Sequence, residues 1–171
     1  MRRLPLLLGL VALVVLVSNS AMAQGISLGV DAALVFPQDP LNNSTGKQIG
    51  ALVRAEVSLL PLLSITGRLG YLYGMENKQM YRGAIDVIPI LAGVKFFPVM
   101  PLGLYAAAEL GLMNGTIRVS DNEKDESWTG MTIGAGFEIS SFDLRLQAIF
   151  LDLDHMEDTY GIMLNVGYEL F

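Results

Sequence analysis

The sequence predicts an all-β fold, an eight-stranded antiparallel up-and-down transmembrane β-barrel. Three observations predict it. Apolar residues alternate with small or polar ones over eight separate segments, the period of a strand whose two faces meet different surroundings. The chain is 52% hydrophobic, yet beyond residue 23 no apolar run approaches the ~20 residues that a membrane-spanning helix needs. The last alternating segment, Gly161 to Phe171, runs to the final residue without a polar tail. An apolar strand left as an open edge invites aggregation, whereas the closing strand of a barrel has no edge. In lipid, the outer face of a barrel is apolar and the inner face need not be, which is the alternation seen.

The N-terminus reads as a cleaved secretory signal peptide over residues 1–23. Arg2 and Arg3 open it, Leu4 to Val17 form an apolar core, and Ala21-Met22-Ala23 fits a small-residue cleavage site. The mature chain then begins at Gln24 and spans 24–171 as one barrel domain. It holds 9 bases, the 11 of the full chain less Arg2 and Arg3, against 17 acids, a net charge of 9 − 17 = −8. Such an acidic chain is a poor partner for nucleic acid. The absence of cysteine excludes disulfides, thiol chemistry and a lipid anchor at the cleavage site.

Taken in order, the strands are predicted over Ile26–Phe36, Ile49–Leu60, Leu63–Tyr73, Ala84–Phe97, Leu102–Met113, Trp128–Ser140, Phe142–Leu151 and Gly161 to the C-terminus. Turn formers separate them: PQDPLNNSTGKQ after the first strand, Pro61 after the second, GMENKQMYR after the third and Ser140-Ser141 after the sixth. Asn114 to Ser127 reads as the longest connection, with Thr116 to Val119 able to extend the hairpin, and DLDHMEDTY (152–160) as the last polar loop. Long and short connections alternate, as in barrels with short periplasmic turns and longer outer loops, and an even strand count puts both mature termini on one side, the periplasmic one. Pro89 interrupts an otherwise regular strand and suggests a bulge there, because proline lacks a ladder donor. Tyr71, Tyr73, Trp128 and Phe150 near one set of strand ends, and Phe97, Phe142 and Tyr168 near the other, suit aromatic girdles.

The inward phase carries the chemistry. Arg54, Arg68, Lys95 and Arg145 fall on it, as do Glu56, Glu109, Glu138 and Glu169. A charge at the lipid midplane costs roughly 2–4 kcal/mol, so these side chains belong in the lumen, where equal numbers of each sign can pair as a structural network. An eight-stranded barrel is just wide enough for side chains to fill, and Gly50, Gly93, Gly111, Gly134 and Gly136 on the same phase leave room for long ones. On this phase, Leu146→Lys should block membrane assembly and Thr132→Lys should be milder.

With its signal peptide, eight alternating segments, charged interior and aromatic C-terminus, the chain resembles the small outer-membrane β-barrel family of OmpA/OmpX type. The stretch AIDVIPILAGVKFFP resembles that family's mid-barrel strand, an apolar run with proline and glycine ahead of a base and aromatics. The likeness covers the whole mature chain. It implies a non-enzymatic, monomeric protein of the Gram-negative outer membrane that supports envelope integrity and presents loops for interaction or adhesion, with no cofactor. Its partners would be outer-membrane lipids and lipopolysaccharide, with periplasmic chaperones and the barrel-assembly machinery during biogenesis. The chain stops at the barrel, so no peptidoglycan-binding domain is expected.

Other readings are weaker. Among lipid A-modifying barrel enzymes, a deacylase uses a histidine and a serine two residues apart on one strand, and a palmitoyltransferase-like reading has no better support. The only histidine, His155, has Glu157 at that spacing and lies in a loop. Asp152, Asp154, Glu157 and Asp158 lack the spacing and glycine of an EF-hand, so a solvated acidic rim is the expectation and no metal site. Pro89 and the glycine-rich sixth strand motivate a narrow channel or lateral-gate transporter for small hydrophobic molecules. A soluble lipocalin-like barrel would turn the apolar face inward. The terminal register is expected to keep Tyr168 and Leu170 toward lipid and Glu169 toward the lumen, with Phe171 past the strand.

Overall fold

Each alternating segment is a strand, and the strands pair in chain order into one closed antiparallel barrel. The structure is a computed structural model and describes residues 25–39, 41, 45–75, 83–99, 102–119 and 122–170. The predicted signal peptide and Phe171 lie outside these residues. The strands are β1 (Ile26–Pro37), β2 (Gln48–Leu60), β3 (Leu63–Gly74), β4 (Gly83–Val99), β5 (Leu104–Val119), β6 (Asn122–Ile139), β7 (Phe142–Phe150) and β8 (Tyr160–Glu169). β8 closes on β1 from Gly29↔Glu169 to Pro37↔Gly161, so the last apolar strand has partners on both edges. Tyr168 and Leu170 are exposed and Glu169 is half-buried.

The two faces sort by polarity. Val53, Leu69, Leu110, Leu146 and Val166 are exposed on the outer wall, while Arg54, Lys95, Glu109 and Arg145 are buried in the lumen. This orientation excludes a lipocalin-like barrel, whose apolar face points inward. An apolar outer wall of this extent suits hydrocarbon and not water. On β5 the outward apolar residues run from Leu104 to Leu112, and on β6 from Ile139 back to Met131. Those spans match the ~9–11 tilted residues that cross a bilayer core.

Above that band the structure departs from the predicted loops. Thr116 to Val119 do extend the hairpin, and the rest of the expected long connection Asn114–Ser127 is mostly strand as well, since β5 runs to Val119 and β6 begins at Asn122. The two stay in register from Asn114↔Ser127 to Val119↔Asn122. Polar outward residues mark a strand that has left the membrane, not one that has ended. Thr116 Oγ1 donates to Asp125 Oδ1 at 2.8 Å, and Ser127 Oγ donates to Asn114 Oδ1 at 2.9 Å across the hairpin. Beside them, Tyr71 donates to Asp86 at 2.7 Å, Asp86 pairs with Arg118 at 2.7 Å, and the Arg118 guanidinium lies 5.0 Å from the Tyr73 ring centre. Tyrosines with apolar bodies and hydrogen-bonded tips mark the upper edge of the lipid band.

Pro89 makes no bulge. Its β5 partner is Met113 in an unbroken register. On the β3 side the ladder lapses between Leu69↔Ile90 and Leu72↔Val87, but resumes in the same register. The proline removes pairing locally without adding a residue to the strand. Two predicted girdle residues also face inward. Trp128 packs on the lumen's apolar cluster, and Phe97 lies 5.5 Å, ring to ring, from buried Tyr105. Both sit on the inward phase of their strands, which outweighs their position near a strand end. Phe142 and Tyr168 do form an exposed pair at the turn end, with centroids 5.3 Å apart. The tight turn between β6 and β7 holds Ser140 at φ 54°. Positive φ is the demand of the two-residue hairpin turns that match strand twist.

Candidate functional site

The lumen has two storeys. The one toward the short turns is polar and centres on two carboxylates. Glu109, from β5, accepts hydrogen bonds from Thr66 (3.1 Å), Thr132 (2.9 Å) and Arg145 Nη1 (3.1 Å), and also from Arg68. Asp143, from β7, pairs with Lys95 and Arg145, each at 3.4 Å, and with Arg54, and it accepts the Tyr105 hydroxyl. Lys95 also reaches Glu56 at 3.0 Å and Glu138, while its ammonium lies 4.1 Å from the Tyr105 ring centre. Gln147 ties the cluster together, accepting from Arg68 and Asn165 at 3.0 Å and donating to Thr132 at 3.2 Å.

The predicted network residues are therefore brought together, with two changes. Asp31 and Asp143 join them, although the equal tally of bases and acids had omitted both. Arg54 and Arg68 are cross-strand partners, and like charges placed opposite repel. Asp31 lies 3.5 Å from Arg54 and 3.9 Å from Arg68 and offsets that repulsion. Both aspartates stood on the inward phase, so the sequence held the signal. Glu169, in contrast, makes no ion pair among the described residues. It borders a recess of about 430 Å³ at the turn end, near Glu56 and Glu138.

The glycines make room as expected at some positions only. A side chain at Gly93 would strike Glu109, and one at Gly136 would strike the Tyr105 ring, whereas Gly50 yields to Leu72, an apolar neighbour. That neighbour belongs to the second storey. Toward the long loops the lumen is filled by Val35, Leu52, Leu72, Val87, Met113 and Met163, all buried. These residues are on the inward phase but apolar, so reading that phase as polar throughout missed them. A polar cluster and an apolar plug thus occupy the barrel in series. Above the plug the barrel opens into a cavity of about 480 Å³ bordered by β4–β6 and the β7–β8 loop.

That loop is held by its own hydrogen bonds. Asp152 Oδ1 accepts the Asp154 amide at 3.0 Å, Asp152 Oδ2 meets His155 Nδ1 at 2.9 Å, and Thr159 Oγ1 donates to the His155 carbonyl at 2.8 Å. Among the described residues no serine or threonine hydroxyl bonds the His155 ring, so the nucleophile–base pair of a hydrolase is not assembled there. Nor, among the described residues, does any group of three or more His, Cys, Asp and Glu side chains have the geometry to hold a metal ion.

The Asp152 hydrogen bond raises the His155 pKa above its ordinary 6.5, and the same bond lowers that of Asp152. The imidazolium form is the one favoured. This pairing therefore adds stability that is full between the unfolded aspartate's and the unfolded histidine's pKa, is lost as pH falls through the lowered Asp152 value and fades as pH rises through the raised His155 value. An NMR titration of the His155 ring should give a midpoint above that of a free histidine, and Asp152→Asn should bring it back down. An unchanged midpoint in the variant would show that the loop does not hold this pair in solution.

The backbone matches known barrels over most of its length. The attachment invasion locus protein Ail of Yersinia pestis aligns over 85% of this chain and 96% of its own, at 17% identity and a TM-score of 0.53. Ail has also been solved with the heparin analogue sucrose octasulfate. Neisserial surface protein A aligns over 85% of this chain and 96% of its own, at 14% identity and a TM-score of 0.60. The N-terminal β-barrel domain of Pseudomonas aeruginosa OprF covers 86% and 98%, at 18% identity and a TM-score of 0.54. No protein-family model matches the sequence, and no curated protein does. The shared property is the fold, that of small eight-stranded outer-membrane β-barrels.

Proposed function

We propose that this protein is a non-enzymatic outer-membrane barrel that presents its loop end at the cell surface and conducts nothing through its lumen. The observation that carries this reading is the lumen closed in series, with an ion-pair cluster at one level and an apolar plug at the next. The cluster acts as a structural filling that fixes strand register. Ions crossing it would have to displace side chains that are already paired, and the plug offers them chiefly apolar side chains, with Gln48 buried beside Val35. Eight strands return the chain to the end where it started, and this reading puts that end, with the short turns, on the periplasmic side. Ail and Neisserial surface protein A, by their names an attachment protein and a surface protein, support a role at the loop end. A polyanion of the kind solved with Ail suits this chain poorly, since Glu126, Asp152 and Asp158 border its upper cavity.

Two measurements test the reading. In cell fractions the protein should appear with the outer membrane and migrate differently on gels before and after boiling. A soluble periplasmic protein with no such shift would overturn it. In planar bilayers the purified barrel should be electrically silent, and stable unitary conductance from folded protein would instead support a gated pore.

A further inference from the structure

The cavity at the loop end, about 480 Å³, is within the roughly 300–1,000 Å³ range of small-molecule sites. Its wall is apolar. Ile85, Ile117 and Trp128, on the inward phase of the tall β4–β6 side, line it together with Leu41 and Leu151. The wall has a firm backing, because Ile85 and Trp128 pack on the buried plug. The place of the indole depends on Gly115. A side chain there would collide with ring atoms Cζ3 and Cη2, so the bare backbone is what lets Trp128 lie flat against β5.

The rim carries unbalanced charge. Glu126, Asp152 and Asp158 border the cavity. Asp152 is engaged by His155. Glu126 is met by Lys124, whose side chain is 74% exposed, and such a pair is weak in water. Asp158 has no ion-pair partner among the described residues. Among the described residues, these three carboxylates face the Lys124 ammonium and, in the imidazolium form that Asp152 favours, His155, leaving one net negative charge over an apolar wall that includes a tryptophan.

We propose that this cavity binds a small hydrophobic cation, an aromatic or branched alkyl group bearing a protonated amine or quaternary ammonium. The apolar part packs on Ile85, Ile117 and Leu151. The cation sits between the indole face of Trp128, whose quadrupole attracts positive charge, and the carboxylates of Asp158 and Glu126. Free carboxylates and polyanions are repelled by the same rim. The proposal names a ligand class for the face described above and rests on that reading only in taking the loop end as open to water.

Trp128 is the only tryptophan in the chain, so its fluorescence reports on this cavity alone. The mature barrel, refolded into lipid vesicles that contain no other protein, is titrated with benzyltrimethylammonium and, separately, with its neutral isostere neopentylbenzene. A saturable change with the cation and a weaker one with the isostere are expected. Asp158→Asn and Glu126→Gln should each weaken binding by roughly three- to fivefold, the scale of one exposed ion pair. Both residues lie at the rim, outside the lumen cluster, and heat-dependent gel mobility verifies that each variant is folded. A non-saturating response, as from partition into lipid, overturns the proposal. Equal affinity for the neutral isostere overturns it as well, and so does indifference to both substitutions. Binding by a protein that fractionates away from the outer membrane would overturn the surface reading and leave this one standing.

Discussion

Glu109→Leu is expected to lower the unfolding free energy by about 3–5 kcal/mol, the penalty for breaking a buried ion pair from one side. Glu109 is 2% exposed and receives both Arg68 and Arg145 along with two threonine hydroxyls. Leucine fills much of its volume but supplies no charge, so two buried guanidinium groups lose their shared partner. A pair of buried charges gives little net stability once desolvation is counted, yet a single uncompensated charge is costly. The double variant Glu109→Leu/Arg145→Met should therefore be less destabilised than the sum of its single changes. Urea titration of barrels refolded into lipid vesicles measures all three. A loss below about 1 kcal/mol for Glu109→Leu would mean that water reaches the cluster, and the lumen would then be a wet passage.

Leu146→Lys is the second large effect, expected at roughly 2–4 kcal/mol with a failure to assemble in lipid. Leu146 is the central outward residue of β7 and is 57% exposed, so its lysine would place an ammonium near the bilayer midplane. Leu60→Lys is the matched control. Leu60 is 61% exposed but ends β2 at the Pro61 turn, where a charge can reach the interface at about 0–1 kcal/mol. Equal losses at the two sites would refute the depth assignment. Thr132→Lys, which the sequence pattern made the mild case, is not mild in this packing. Thr132 is fully buried, donates to Glu109 and accepts from Gln147, so a lysine there must break the cluster that Glu109 organises.

Particular residues show how far the sequence carried. The outward positions of all eight strands were legible because lipid imposes one requirement on every second residue, and that requirement repeats locally. Asp31 and Asp143 were legible as inward but not as members of the cluster, since counting charges does not reveal which strands face each other across a lumen. Trp128 and Phe97 were assigned to girdles from their height along the strand, when their phase already turned them inward. Apart from Thr116 to Val119, the upper β5–β6 hairpin was read as loop because its outward residues are polar. A strand that rises beyond the hydrocarbon band is free to carry polar residues on the face that met lipid below.

By itself the sequence determined the strand count, the face each strand turns to lipid and the closure of β8 on β1. Those features follow from a period of two and from the absence of any other way to bury unpaired strand edges in a membrane. The tertiary structure decided what the lumen contains and how it is closed. Arg54 meets Asp143, 89 residues away, and Lys95 meets Glu138, 43 residues away. Such meetings depend on the tilt and stagger of strands around the barrel, which set the height at which each inward side chain sits. The same stagger separates the polar storey from the apolar plug and raises β4–β6 above the membrane. Only in that raised wall do Ile85, Ile117 and Trp128 come together beneath an acidic rim, because they lie on three strands that meet through pairing rather than through proximity in the chain.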